Sequence, residues 1–283
     1  MRPVSDPPPC DGHVHTEWSW DTMAGSMERT CQRARDIGLP AVAFTDHADA
    51  TPWVVHPAEL PAHLRPRWHG GLLRPPPLDA AGYHACLQRC RDLFPDLRIL
   101  SGVELGEPHW YPETLTALQA AGDFDRVLGS LHSLRVGDQH YFIDSLYQDW
   151  PAAEVIRAHL AETVRMVESG ADFAVLAHID YPVRQWPADA GPYDPVAFEE
   201  EYRVVLAALA CSGRALEVNT KIPLHAEVVR WWYEAGGDAV SFGSDAHDPE
   251  ALARGLADAA AMVEACGFRP GRHPYDLWRR SGT

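Results

Sequence analysis

His13 and His15 sit two apart in Cys-Asp-Gly-His-Val-His-Thr, residues 10–16. On an extended run that spacing points both imidazoles to one side of the backbone. Two neutral imidazoles converging on a point make half of a metal site. A single such pair carries little weight, because many paired histidines are surface or core residues. Repetition supplies the weight. Asp46-His47 follows Ala-Val-Ala-Phe-Thr, Glu104 follows Ile-Leu-Ser-Gly-Val, and His132 follows Val-Leu-Gly-Ser-Leu. His178 follows Ala-Val-Leu-Ala, and Asp245 with His247 follows Ala-Val-Ser-Phe-Gly-Ser. Each metal-capable side chain closes a short apolar run. With Asp21 the set holds six imidazoles and three carboxylates and no thiolate. Mixed N/O donors suit Zn, Mn or Fe(II), and nine donors suit two or three ions better than one.

The elements that must position these residues alternate regularly. Extended runs are expected near 10–15, 41–45, 98–104, 126–131, 173–178, 215–219 and 239–244. Helical patterns are expected near 26–37, 79–93, 113–121, 152–169, 195–212, 224–235 and 249–266, with Ser26 as a cap and Gly38, Gly170, Gly213 and Gly236 as stops. Strands alternating with helices imply a parallel sheet, and seven such units favour a closed α/β barrel over an open sheet. All the metal-capable residues then fall at the C-terminal ends of strands, the face where barrel active sites are assembled. Between Ala48 and Leu78 lie seven prolines with Trp53, Trp68 and several His and Arg residues. A connection of that length leaving the site after His47 is expected to be a lid. The expected layout is a Pro-rich disordered tail over 1–9, one barrel domain over 10–268 with the lid insertion at 48–78, and a C-terminal tail over 269–283.

Composition sets outer limits. At 46% hydrophobic and 23% charged, 283 residues can bury the core of one large domain. The formal charge of −16 argues against a sequence-independent nucleic-acid binder, which needs a basic patch. No apolar run reaches bilayer length, and the start has no signal-peptide pattern. The six cysteines form no CxxC pair, so reduced thiols and a cytoplasmic location are expected, with a small molecule rather than nucleic acid or membrane as partner.

Asp-Gly-His-Val-His-Thr through Asp21, Phe-Thr-Asp-His, Gly-Val-Glu-Leu-Gly, Gly-Ser-Leu-His, Ala-His-Ile-Asp, Glu-Val-Asn-Thr and Gly-Ser-Asp-Ala-His follow one another between residues 11 and 247. In these segments the chain resembles the PHP (polymerase and histidinol phosphatase) superfamily, and within it the histidinol-phosphatase branch. The resemblance implies a distorted (β/α)7 barrel with a trinuclear site at its C-terminal face. It implies that His13, His15 and Asp245 hold a first metal, which Glu104 bridges to a second completed by His132 and His178. Asp21, His47 and His247 would hold the third.

Three divalent ions would outweigh three carboxylates and a hydroxide by about two charges, matching a phosphate monoester dianion. The expected reaction is hydrolysis of a small phosphorylated metabolite, histidinol phosphate among the candidates, by a hydroxide held between the first two metals. Glu104, Asp245, His247 and Arg184 form the expected catalytic set. Arg184 matches the branch's phosphate-binding arginine, and a guanidinium fork suits phosphate oxygens. A second arginine expected after Glu-Val-Asn-Thr is absent, which leaves Lys221, His225 or a lid arginine to replace it. Trp18 and Trp20 would either wall the leaving-group pocket or pack in the core. Asp11, Asp46 and Asp180 are candidates either to orient ligating imidazoles through their distal N–H groups or to cap strand ends. The alternatives are a related hydrolase of phosphodiesters or amides, and a non-enzymatic metal-binding module.

Overall fold

The computed structural model describes residues 8–55 and 60–281. The apolar runs become strands because both of their faces are covered. Asp11–Val14, Ala41–Ala48, Ala215–Asn219 and Ala239–Gly243 are buried at every position, as expected for parallel strands flanked by helices. With Arg98–Gly106, Arg126–Ser130 and Val175–Leu176 they form seven parallel strands, hydrogen-bonded in chain order. Helices Met27–Asp36, Ala80–Leu93, Glu113–Gln119, Ala152–Glu168, Glu199–Ser212, Ala226–Glu234 and Leu256–Ala265 follow the strands in turn. Ser26 caps the first by accepting from Arg29 N, and Gly213 ends the fifth in the left-handed region at φ 72°.

The sheet curls until its first and seventh strands meet beyond their C-terminal ends. There His15 N donates to Ala246 O and Asp245 N to His13 O, each at 2.8 Å, and Val14 bridges Ala246 in parallel. At the other end Ala239 and Val240 pair instead with Arg279 and Trp278. An antiparallel strand thus wedges the ring open at its base, which is the distortion of this barrel. No helix among the described residues is long and apolar enough to cross a membrane.

Four expectations change in detail. Within the expected C-terminal tail, residues 269–281 are built into the fold: Trp278–Arg280 pairs with both Ala239–Gly243 and Phe268–Arg269, and Cys10 N donates to Pro274 O, while 282 and 283 lie outside the described residues. Residues 8 and 9 belong to the described chain, while the rest of the expected N-terminal tail lies outside the described residues. The helices expected from 195 and 249 begin as 3-10 turns, Pro195–Phe198 and Pro249–Ala251, each capped by the preceding aspartate. The latter breaks off before Leu256 because Asp11 Oδ2 takes Ala253 N and Ala253 and Gly255 turn to positive φ. Finally, the 48–78 insertion contains short strands, Trp53–Val54, Trp68–His69 and Leu72–Leu73. They join the hairpin Ser133–Val136/Gln139–Phe142 in a separate five-stranded sheet. His56 lies outside the described residues.

Candidate metal centre

All nine proposed donors converge at the C-terminal rim. Asp21, His47, Glu104, His132, His178, Asp245 and His247 line one cavity of about 190 Å³, while His13 and His15 are buried nearby in the same cluster. The two oxygens of Glu104 divide the cluster. Oε1 lies 2.7 Å from His178 Nε2 and 3.2 Å from His132 Nε2. Oε2 lies 3.0 Å from His13 Nε2 and 3.3 Å from His15 Nε2. Asp245 Oδ1 stands 3.3 Å from His15 Nε2 and 4.0 Å from His13 Nε2. Asp21 Oδ2 sits between His247 Nε2 at 3.1 Å and His47 Nε2 at 3.5 Å. The nine donors share one cluster, and its tightest metal-capable groupings are His13, His15 and Asp245; His13, Glu104 and His178; His15, His47 and His247; and His47, Asp49 and His132.

Two donors sit on strained backbone. His178 and Asp245 have φ of 20° and 52°, a region costly for residues with a side chain. Each is held by a specific bond: His178 N donates to Glu217 Oε2 at 2.8 Å, and Asp245 N to His13 O.

The cluster's electrostatics call for positive charge. Burial pushes the Glu104, Asp245 and Asp21 carboxyls up, yet neighbouring imidazoles, with Arg184 and Lys221 beside Asp245, hold all three well below the carboxylate range. Burial and neighbouring imidazoles take His15 down to about 4, and burial takes His178 to about 4. His13, His47 and His132 are raised despite burial because carboxylates surround them, His47 to about 9. The Nε2 atoms of His13 and His15 face each other at 3.0 Å, a separation that needs a proton or a cation between two lone pairs. Asp21 Oδ1, His47 Nδ1, Asp49 Oδ1 and His178 Nδ1 are buried without a hydrogen-bond partner. Buried orphans of this kind are costly. A nitrogen- and oxygen-donor set that traps positive charge and leaves lone pairs unpaired fits divalent metals.

Residues outside the expected set hold the imidazoles. Glu217 Oε1 takes His13 Nδ1 at 2.7 Å, and Ser19 Oγ takes His15 Nδ1 at 2.9 Å. Asp46 acts one step further out, accepting from Ser19 Oγ, Thr16 Oγ1 and Thr16 N. Asp11 accepts from Ser244 N and Oγ and from Ala253 N. Asp180 has no imidazole partner among the described hydrogen bonds, and burial raises it to about 6. For Asp11 and Asp46, backbone and hydroxyl contacts stand in place of the direct imidazole contacts. Glu107 accepts from His132 N, Ser133 N and Thr51 Oγ1, tying the His132 loop to the root of the insertion. The usable sequence signals were Glu217 inside a fully buried strand and Asp49 two residues after His47.

The anion-binding candidates separate. Arg184 lines the cavity with Nη2 2.5 Å from Asp245 Oδ2 and its guanidinium over the Tyr181 ring. Lys221 Nζ also lines it, 3.3 Å from Asp245 Oδ1. His225 is absent from the lining and sits near Glu227, 3.8 Å away. Trp18 packs against Gly82 of the second helix, where even a methyl group would strike its ring. Trp20 does line the cavity, with Trp53, Leu64, Phe142 and Tyr181. The bulky wall thus comes from the loop after the first strand, the small sheet and the turn after His178.

Comparison with known proteins agrees with this geometry. A model of the PHP domain family matches residues 11–221. The histidinol-phosphatase of Lactococcus lactis subsp. lactis is 22% identical over 273 residues, covering 91% of each chain. The "Probable histidinol-phosphatase" of Clostridium acetobutylicum is 27% identical over 184 residues, 61% of this chain and 70% of that one. The crystal structure of the Lactococcus lactis histidinol phosphate phosphatase, complexed with zinc, L-histidinol and phosphate, superposes with a TM-score of 0.75 at 20% identity. It covers 93% of this chain and 95% of its own. With the family match spanning most of the barrel and every metal-capable motif before Asp245, the chain belongs to the PHP domain family.

Proposed function

We propose that this protein is a metal-dependent phosphatase of small phosphate monoesters, with L-histidinol phosphate the first substrate to test. The observation that carries the reading is the division of Glu104: one oxygen faces His132 and His178, the other His13 and His15. Names of relatives at 22% and 27% identity support the choice of substrate. Three ions are assigned: one to His13, His15, Asp245 and Glu104, one to Glu104, His132 and His178, and one to Asp21, His47 and His247. Divalent ions bound there supply a nucleophile from water near neutral pH and Lewis-acid contacts to the phosphoryl oxygens.

The chain's own groups do the rest. Arg184 and Lys221 both line the cavity, one at each carboxylate oxygen of Asp245, and present two cations to an entering phosphoryl group. The Arg184 guanidinium, seated on Tyr181, offers a fork for two oxygens. Lys221 takes the place of the missing second arginine as a point charge. Its single ammonium suits phosphate while imposing less geometry. Trp20, Trp53, Leu64 and Phe142 exclude water and hold the alcohol half of the substrate.

The test is phosphate release by chelator-stripped protein reloaded with Mn(II) or Zn(II), on a panel of phosphate monoesters that includes histidinol phosphate. Diesters and amides serve as controls. Metal-dependent turnover confined to monoesters is expected. Turnover of only the diester or amide would overturn the reading, as would turnover unaffected by stripping.

A further inference from the structure

We infer that Asp49 is a positioning residue whose one carboxylate orients His47 and His132 together, coupling two parts of the metal centre; this deepens the metal-binding reading above and rests on it. Asp49 follows His47 by two residues at the end of Ala41–Ala48, so the two side chains leave the backbone on one side. Its side chain is 1% exposed. Oδ2 accepts from Trp20 Nε1 at 2.8 Å and lies 3.5 Å from His47 Nδ1. Oδ1 lies 3.4 Å from His132 Nδ1.

In both rings Asp49 faces Nδ1, while Nε2 faces the inner carboxylates. His132 Nε2 is 3.2 Å from Glu104 Oε1, and His47 Nε2 is 3.5 Å from Asp21 Oδ2. An imidazole that gives its Nδ1 proton to a carboxylate presents the Nε2 lone pair, which is the form a metal needs. The pairing is unfinished as the cluster stands. Asp49 Oδ1 and His47 Nδ1 are buried without hydrogen-bond partners, and His47 Nδ1 also lies 3.1 Å from Glu104 Oε2. With Glu104 held by a bound cation, Asp49 would be the acceptor left for His47 Nδ1. Gly106 makes the seat: a Cβ there would come within 1.9 Å of Asp49 Oδ1 and 3.5 Å of His132 Nδ1.

The experiment follows Mn(II) binding to the stripped full chain by the EPR signal of the free ion, for wild type, Asp49→Ala, Asp49→Asn and Gly106→Ala. Loss of an outer carboxylate of this kind weakens metal affinity by about 10–100-fold, and that range is expected for Asp49→Ala. Asp49→Asn keeps one oxygen for one ring and should fall between Asp49→Ala and wild type. Gly106→Ala displaces the carboxylate and should resemble Asp49→Ala. The melting temperature of each metal-free variant separates positioning from folding, and Asp49→Asn preserves side-chain volume. Affinities within about twofold of wild type in both Asp49 variants, a difference under roughly 0.5 kcal/mol, would overturn the inference. So would an affinity loss that appears only in variants whose metal-free fold has collapsed. A wild-type protein that binds fewer than two ions would refute the metal reading itself, and the inference with it.

Discussion

Glu104 is the residue that joins the two halves of the cluster, so its chemistry makes the sharpest single-residue prediction. Glu104→Gln keeps the volume and removes the charge shared by five imidazoles, those of His13, His15, His47, His132 and His178. We expect kcat to fall below about a tenth of wild type, a loss above roughly 1.4 kcal/mol, with the metal-free melting temperature little changed. Steady-state kinetics beside elemental analysis check this, and near-normal turnover would refute the bridging role. At Arg184, lysine keeps the charge but loses the fork. Loss of kcat/KM on a phosphate monoester should rise from Arg184→Lys to Arg184→Ala, the latter by about 2–4 kcal/mol. A slowly hydrolysed neutral ester should be far less affected; equal loss on both substrates would mean the arginine only supports Asp245. Most of the proposed donors were legible because they close apolar runs, whereas Asp21 lies in the loop after the first strand and was placed by the resemblance. The pairing of Glu217 with His13 is invisible in sequence because 204 residues separate them, and Ser19 gives no sign in sequence that its hydroxyl serves an imidazole.

Among the elements, the parallel strands and their helices were legible because apolar runs and glycine stops repeat in phase. The small sheet was not. Its strands in the insertion are two residues long, too short to register as periodicity. The hairpin partner did leave a signal, since Ser133–Val136 and Gln139–Phe142 flank Gly137-Asp138, a two-residue turn with Gly137 at φ 61°. The strand Trp278–Arg280 leaves no periodic signal for a similar reason: it is short and lies after the last barrel unit. Its anchor is Trp278, buried and edge-on to Phe242 at 5.0 Å. Trp278→Ala should cost about 3–5 kcal/mol of folding stability, read by denaturant unfolding, while Mn(II) affinity is retained. A change under about 1 kcal/mol would mean that the strand is a passive attachment.

Over the whole molecule, closure of the barrel lay beyond sequence periodicity. It depends on backbone contacts between the two ends of the parallel sheet, at His13, His15, Asp245 and Ala246. The same contacts set the first and last donors side by side, so folding and site assembly are one event here. Global stability should also carry the signature of a buried imidazole outside the donor set. His159 lies inside the helix Ala152–Glu168 with Nε2 3.3 Å from Leu131 O, and burial lowers it to about 3. The folded state refuses a proton that the unfolded chain accepts near its ordinary value of 6.5. The penalty is therefore absent above that pH and grows as pH falls toward about 3, by roughly 1.4 kcal/mol per pH unit. His159→Gln keeps a donor for Leu131 O and should flatten the acid limb of the stability curve by that slope. Identical acid slopes in the two proteins would contradict it.

Anomalous diffraction from crystals of the Mn(II)- or Zn(II)-loaded protein tests the centre most directly. The predicted map has one ion on each side of Glu104, the first also within bonding distance of His13, His15 and Asp245 and the second of His132 and His178. A third ion is predicted among Asp21, His47 and His247. A loaded crystal with no anomalous peak against Glu104, or with ions only at surface carboxylates, would contradict the assignment of these residues as a metal centre.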